Sequence, residues 1–277
     1  MTIIEQLLEK YSSASPEAQK MALRGIMQQV ALAALNRSGF FEHAAFYGGT
    51  CLRIFYALPR FSEDLDFSLL RPDPEFSLKP RLQAIENEFT ALGLDVDIAV
   101  KDKSTESQIE SAFLKNNTKI FELALRNERK LKIKLEVDTR PPLGFATEEK
   151  LLLTPFSCYV KCFTLPDLFA GKMHALLFRK WKNRVKGRDW YDFEWYVKKG
   201  VPLNLSHLSE RAFQSANWPE RKLSLEDFQE LLKARIASLD IKQTKEDIQR
   251  FIYNPRELDI WSHEYFFQLS KMLKVEE

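Results

Sequence analysis

A chain of 277 residues, 45% hydrophobic and 29% charged with a formal net charge of +2, has an ordinary globular composition and room for one large domain or two modest ones. No window approaches the roughly 18 to 20 uncharged apolar residues of a membrane helix, and the first residues lack the basic start and apolar run of a signal peptide, which predicts a cytoplasmic protein with no membrane partner. Three cysteines, Cys51, Cys158 and Cys162, are too few for a disulfide framework and have no second ligand pair for zinc, so all three read as reduced structural thiols.

Ser15-Pro16-Glu17 reads as an N-cap followed by proline at the first helical position, and Met21, Ile26, Val30, Leu32 and Leu35 recur at helical spacing, predicting a helix over 16–36. Ala44 to Tyr47 is a short apolar run ended by Gly48-Gly49, after which Leu52, Phe55 and Tyr56 fit one helical face over 50–57. The pattern is strand, glycine turn, helix. Pro59 stops that helix, and 64–69 alternates polar and apolar residues as a half-buried strand does. A helix over 78–92 leads to a strand over 96–100, and two further alternating strands are expected at 119–125 and 131–138. Beyond Pro141-Pro142 the signals turn helical, at 165–181 and 189–199, with capping patterns at Ser224 with Asp227 and at Thr244 with Asp247. An α/β core over 1–150 is therefore expected to precede a mostly helical domain over 151–277.

The chemistry concentrates around Gly48-Gly49-Thr50 and Asp64-Leu65-Asp66. A diglycine before a helix lets backbone N–H groups approach a phosphate closely, and the helix start adds partial positive charge. Asp64 and Asp66, two apart on a strand, project from one face, so both carboxylates can reach one Mg²⁺ or two, as phosphoryl transfer requires. Two hard cations plus a triphosphate need a further acid. The strand over 131–138 puts Lys132, Lys134, Glu136 and Asp138 on one face; Glu136 is the preferred third acid, Asp138 the second choice, and Lys134 a neighbour able to pair with a phosphate or orient the acid.

From Lys172 to Arg188 the chain carries Lys172, Arg179, Lys180, Lys182, Arg184, Lys186 and Arg188 with no acid among them, a local concentration in a nearly neutral protein. On a continuous helix Lys172 and Arg179 would share a face, one holding an NTP phosphate and the other a second phosphate or an acceptor backbone. Lys182, Arg184 and Lys186 are expected to grip acceptor phosphates. Trp181 and Trp190 could stack on bases but fit the core better. Asp189 and Asp192, at helical i, i+3 spacing, are placed to support the basic side chains by pairing with Arg188 or Arg179. The four histidines have no partner spacing for a metal site or a triad.

Phe46-Tyr47-Gly48-Gly49-Thr50 followed by Arg60 to Phe67 resembles the first motif of the AbiEii/AbiGii-type nucleotidyltransferase toxins, relatives of polymerase β. Ile133 to Val137 is similar to the family's second motif strand; Leu168 to Leu176 with Arg179, and Arg188 to Phe193, resemble the last two. The resemblance implies an α+β fold, with a polymerase-β-like domain on a mixed sheet and a mostly helical C-terminal half. It also implies a bacterial toxin that binds an NTP with Mg²⁺, transfers a nucleotide to an acceptor such as tRNA, and is neutralised by a cognate antitoxin. By that analogy Asp64 and Asp66 ligate metal, Gly48, Gly49 and Thr50 with Ser62 contact the triphosphate, and Lys172 and Arg179 bind phosphates. Two other readings stand beside it: an NTP-binding or antitoxin-binding module without catalysis, and nucleotide transfer to a protein hydroxyl or a small molecule.

Overall fold

The computed structural model describes residues 3–9, 15–101, 118–125, 132–179 and 186–277. Leu131, Lys180, Trp181, Lys182 and Arg184 lie outside the described residues. The chain forms two compact units, one of Met1–Tyr56, Ser62–Pro141 and Thr147–Cys162, the other of Ala57–Phe61, Pro142–Ala146 and Phe163–Glu277.

In the first unit, α1 (Ile3–Glu9) precedes the long α2 (Pro16–Arg37), where Ser15 Oγ accepts the Ala18 N–H and Pro16 opens the first turn. The buried run from Val30 to Leu35 makes α2 the central support of the unit, packed against α4 (Lys79–Ala91). The sheet contains β1 (Ala44–Tyr47), β2 (Asp64–Leu69), β3 (Val96–Lys101), β4 (Thr118–Leu125), β5 (Lys132–Asp138), β6 (Thr147–Leu152) and β7 (Cys158–Phe163), in the order β3-β4-β5-β2-β1-β7-β6. It is mixed: β2 runs parallel to β5 and β1 to β7, while β1–β2, β3–β4 and β4–β5 are antiparallel. Alternation works as expected on the central pair. Leu65, Phe67, Ile133, Leu135 and Val137 are buried, with Phe67 packed edge-on against Phe40 at 5.0 Å between ring centroids.

Two strands of this sheet, β6 and β7, were not expected. Thr147–Leu152 reads Thr-Glu-Glu-Lys-Leu-Leu, with no period of two, and the sheet takes it as an edge strand beside β7, so the first unit runs to Cys162 instead of ending near residue 150. The helix after the diglycine, α3 (Gly48–Tyr56), starts at Gly48 itself, so the glycine turn is the first turn of the helix.

The second unit holds α5 (Leu165–Phe178), α6 (Gly187–Lys199), α7 (Leu205–Gln214), α8 (Leu225–Ala237), α9 (Ile241–Gln249) and α10 (His263–Met272). A short parallel pair, β8 (Leu203–Asn204) and β9 (Val275–Glu276), joins them. Trp190 is core, 2% exposed and packed on Phe193 and Phe266. Ser224 caps α8 as expected, accepting the Asp227 N–H at 3.0 Å. Thr244 is not the cap: Asp240 caps α9 four residues earlier, and Thr244 is buried inside the helix with its hydroxyl donating to the Asp240 carbonyl. Asp247 caps the neighbouring helix instead, accepting the Gly187 N–H at 3.0 Å where α6 begins. A Cβ at Gly187 would come within 2.2 Å of the Thr244 carbonyl, so only glycine lets α6 start this close to α9. Among the described residues no helix is long and apolar enough to cross a membrane.

Candidate active site

The parallel β2–β5 ladder sets the acidic row. Asp64 lies opposite Lys134, Asp66 opposite Glu136 and Ser68 opposite Asp138. Because the side-chain period is two, all six project from the same face of the sheet. Asp66 and Glu136 are thus direct cross-strand neighbours, whereas Asp138 stands one pleat further on, its Oδ1 accepting the Arg140 N–H at 3.0 Å. Asp64, Asp66 and Glu136 are half-buried.

Lys134 sits among these acids. It pairs with Glu136, and although burial opposes the charge, Glu136, Asp64 and Asp66 together hold the ammonium above its usual pKa. The three expected ligands do not converge: Glu136 turns along its own strand to Lys134, and among the described residues no three His, Cys, Asp or Glu side chains form a metal-binding group. The donor chemistry of Asp64 and Asp66 nonetheless fits a hard divalent cation, being carboxylate oxygen only, on a face where a positive charge is already stabilised.

The glycine turn is fitted to the acids. Gly48 has φ +83°, and a Cβ there would come within 2.2 Å of Asp66 Oδ2, so the Asp66 carboxylate lies directly against the first turn of α3. Gly49 and Thr50 are buried. The Thr50 hydroxyl donates to the Asp64 carbonyl, which ties α3 to the start of β2 and directs this group to backbone where phosphate had been expected.

Sequence reasoning missed what holds the loop before Asp64. Gln28, fully buried on α2, donates to the carbonyls of Ser62 at 3.1 Å and Glu63 at 2.8 Å, and its Oε1 accepts from Arg53 of α3 at 2.6 Å. Arg24, one helical turn earlier, pairs with Glu63 at 2.9 Å. The adjacent amides Gln28 and Gln29 in the otherwise apolar α2 run Gly25–Leu35 were the available signal. A cavity of about 620 Å³ among the described residues of this unit lies elsewhere, lined by His43, Leu69, Arg71, Phe76 and Arg81 beyond the far end of β2, and none of the predicted site residues borders it.

In the second unit the centre is Asp192, which is fully buried. Arg60 grips it with two bonds of 2.6 Å, and Lys172 of α5 reaches it at 2.9 Å. These are not the expected partners Arg188 and Arg179. Burial alone would push the Asp192 carboxyl up; Arg60 and then Lys172 outweigh it and hold it below the usual carboxylate range. Two cations on one anion leave one positive charge in excess, at a lysine whose side chain is 17% exposed. That excess suits an incoming anion.

Lys172 and Arg179 do not share a helix: α5 stops at Phe178, and Arg179 is its extended, exposed C-cap. Arg188 lies over the Phe251 ring at 4.3 Å, and Asp189 is nearly buried in the first turn of α6. Burial, then Arg179, Arg188 and Lys172 push the Lys186 ammonium down to about 8 against the opposing pull of Asp189. Burial, and beyond it neighbouring arginines, holds the His174 and His207 imidazoles neutral.

The sequence profile of the family described as nucleotidyl transferase AbiEii toxin, type IV TA system, matches residues 30–268. No curated protein sequence matches the chain. Among solved structures, MenT4, a nucleotidyltransferase toxin from Mycobacterium tuberculosis H37Rv, is similar over 99% of this chain and 99% of its own, at 15% identity and a TM-score of 0.54. A Helicobacter pylori structure described as a candidate nucleotidyltransferase covers 93% of each chain at 18% identity and 0.52, and JHP933 from Helicobacter pylori covers 89% of this chain and 87% of its own at 17% and 0.51. At these identities the likeness is one of fold.

Proposed function

The chain belongs to the AbiEii nucleotidyltransferase toxin family of type IV toxin-antitoxin systems, and from that premise we propose that it transfers a nucleotide from an NTP to an RNA hydroxyl, with tRNA as acceptor, using Mg²⁺ held by Asp64 and Asp66. The observation that supports this most directly is the row of acids on the β2–β5 pair, with Asp66 against the Gly48 turn and beside Glu136. Three carboxylates against the single ammonium of Lys134 leave negative charge that a bound cation would offset.

The acceptor oxygen attacks the α-phosphorus, the bond from that phosphorus to the bridging oxygen breaks, and pyrophosphate leaves. The hydroxyl proton passes to a carboxylate of the row, Glu136 in this reading, with Lys134 offsetting phosphate charge. When bound, Mg²⁺ supplies neutralisation and alignment of the phosphate oxygens. Gly48, Gly49 and Ser62 contact the triphosphate, while Thr50 and Gln28 keep Asp64 in place. Lys172 and Arg179 take phosphates, the former from a cluster that already carries excess positive charge. Asp189 and Asp192 hold basic side chains. A cognate antitoxin restrains the activity in the bacterial cytoplasm.

The test is incubation of the purified chain with labelled NTPs, Mg²⁺ and either total RNA or lysate protein. Label is expected on RNA; label on protein or on a small molecule overturns the acceptor assignment. Asp64→Ala and Asp66→Ala should each lose at least about 10³-fold in rate, because each removes transition-state charge stabilisation. Glu136→Gln should cost more than Asp138→Asn, which lies one pleat away; the reverse order would move the site along the strand.

A further inference from the structure

Within the second unit an aromatic pair is held at the surface by backbone pairing. Arg60 and Ile252 form an isolated antiparallel bridge, and the Phe61 N–H donates to the Phe251 carbonyl at 2.7 Å. Arg60 and Ile252 turn inward, 2% and 8% exposed. Next to them the Phe61 and Tyr253 rings meet at 4.7 Å between centroids, tilted by 50°. Tyr253 is 73% exposed, the most exposed large hydrophobic side chain among the described residues. Phe251, bonded through its carbonyl to Phe61 and two residues before Tyr253, has a buried ring on which two guanidiniums gather, Arg188 at 4.3 Å and Arg250 at 4.8 Å from its centroid. Among the described residues neither arginine has a carboxylate within ion-pair distance.

An exposed aromatic face beside two guanidiniums that lack a carboxylate is the combination that holds single-stranded nucleic acid, stacking for the base and charge for the backbone. We propose that Phe61 and Tyr253, with Arg188 and Arg250, form the platform on which a base of the single-stranded end of the RNA acceptor stacks, its flanking phosphates held by the two arginines. This rests on the RNA-acceptor reading above and names the part of the chain that takes the acceptor. A lone mononucleotide is a poorer occupant, because small-ligand sites are concave and bury most of the ligand, whereas this platform is open and favours a strand that continues past it. Stacking also tolerates any base, so the platform grips an RNA end without reading its sequence. In sequence, Phe61 precedes Asp64 by three residues.

The test is fluorescence anisotropy with a labelled single-stranded oligoribonucleotide of about twelve nucleotides, within the site sizes such surfaces cover. Tyr253 is exposed, so its substitution spares the fold. Tyr253→Ala should weaken binding about tenfold and Tyr253→Phe should restore it, since the stacking face and not the hydroxyl carries the contact. An Arg188→Gln/Arg250→Gln protein should show a log K versus log salt slope shallower by about 1.4, the loss of two single-strand phosphate contacts. Binding by Tyr253→Ala equal to wild type overturns the platform, as does a loss confined to NTP affinity or to capture of an antitoxin. RNA labelling by the wild-type chain is measured separately. Labelling that persists while Tyr253→Ala binds normally refutes the platform alone; absent labelling with tenfold weaker Tyr253→Ala binding supports the platform and refutes the transfer reading.

Discussion

Replacing Gly48 with alanine separates backbone strain from placement of the acid. The position has φ +83°, where an L side chain costs about 1–2 kcal/mol. The new methyl would also fall 2.2 Å from Asp66 Oδ2, far inside contact distance. That oxygen is the end of a side chain, so the carboxylate swings away and the unit still folds, at a total loss of roughly 1–3 kcal/mol. The effect on transfer should be larger, since a shift of about 1 Å in a reacting group can cost about 10²-fold. Urea denaturation and labelled-NTP transfer would be measured for Gly48→Ala, Asp66→Ala and the double variant. Asp66→Ala removes the clashing oxygen and leaves the φ strain and a 3.1 Å approach to the Cβ of residue 66, so the stability cost of Gly48→Ala should be smaller by about 1 kcal/mol in that background. Transfer by Gly48→Ala within about threefold of wild type, or an identical stability cost in both backgrounds, would refute the contact between this turn and the acid.

Two further outcomes follow from the second unit. Arg60→Met leaves the buried Asp192 carboxylate with Lys172 alone, and should destabilise this unit by about 3–5 kcal/mol, read from denaturation followed by the fluorescence of the buried Trp190 and Trp261; a loss below about 1 kcal/mol, as for an exposed ion pair, contradicts the pairing. With Lys186 titrating at about 8 because of burial and the nearby Arg179, Arg188 and Lys172, RNA affinity should fall as pH rises from 7 to about 9, since the bound anion favours the protonated amine. Stability has the opposite sign: the folded pKa is depressed, so the native state gains on the unfolded chain as pH rises between about 8 and the ordinary lysine value. Lys186→Arg, charged throughout, should flatten the binding profile, and an unchanged profile would assign the titration to another group.

What could be read from the sequence was local. Helix α2, strand β2 and strand β5 carry their own periodicity and caps, so their bounds came out within about a residue or two, and the alternation in β5 already put Glu136 and Asp138 on one face. The register that distinguishes those two acids is a pairing property, invisible until β5 lies along β2. In the sequence Arg60 is only part of a motif; its partner Asp192 is 132 positions away, and nothing local marks an arginine for burial. The break of α5 at Phe178 was hidden because the basic residues that follow carry good helix propensity. Gln28 and Gln29 stand side by side in the α2 run and nothing local tells them apart, yet only Gln28 is buried and becomes a fixed hydrogen-bonding post.

The parallel pairing of β2 with β5 has a consequence for how such a chain tolerates change in length. Strands joined by a tight hairpin inherit their register from the turn, so one inserted residue there would carry every acid to the opposite face. Here the neighbours Asp66 and Glu136 belong to strands whose connection runs through α4, β3 and β4, and their alignment is kept by the ladder itself and by the packing of Leu65, Phe67, Leu135 and Val137 beneath it. A change of length in the exposed loop from Arg71 to Glu75 therefore leaves the acidic row where it is, whereas one inside α4 or β4 would disturb the packing on α2 or the ladder to β5. That loop is the natural place for related chains to differ in size, and for an affinity tag or reporter to be inserted without silencing the row.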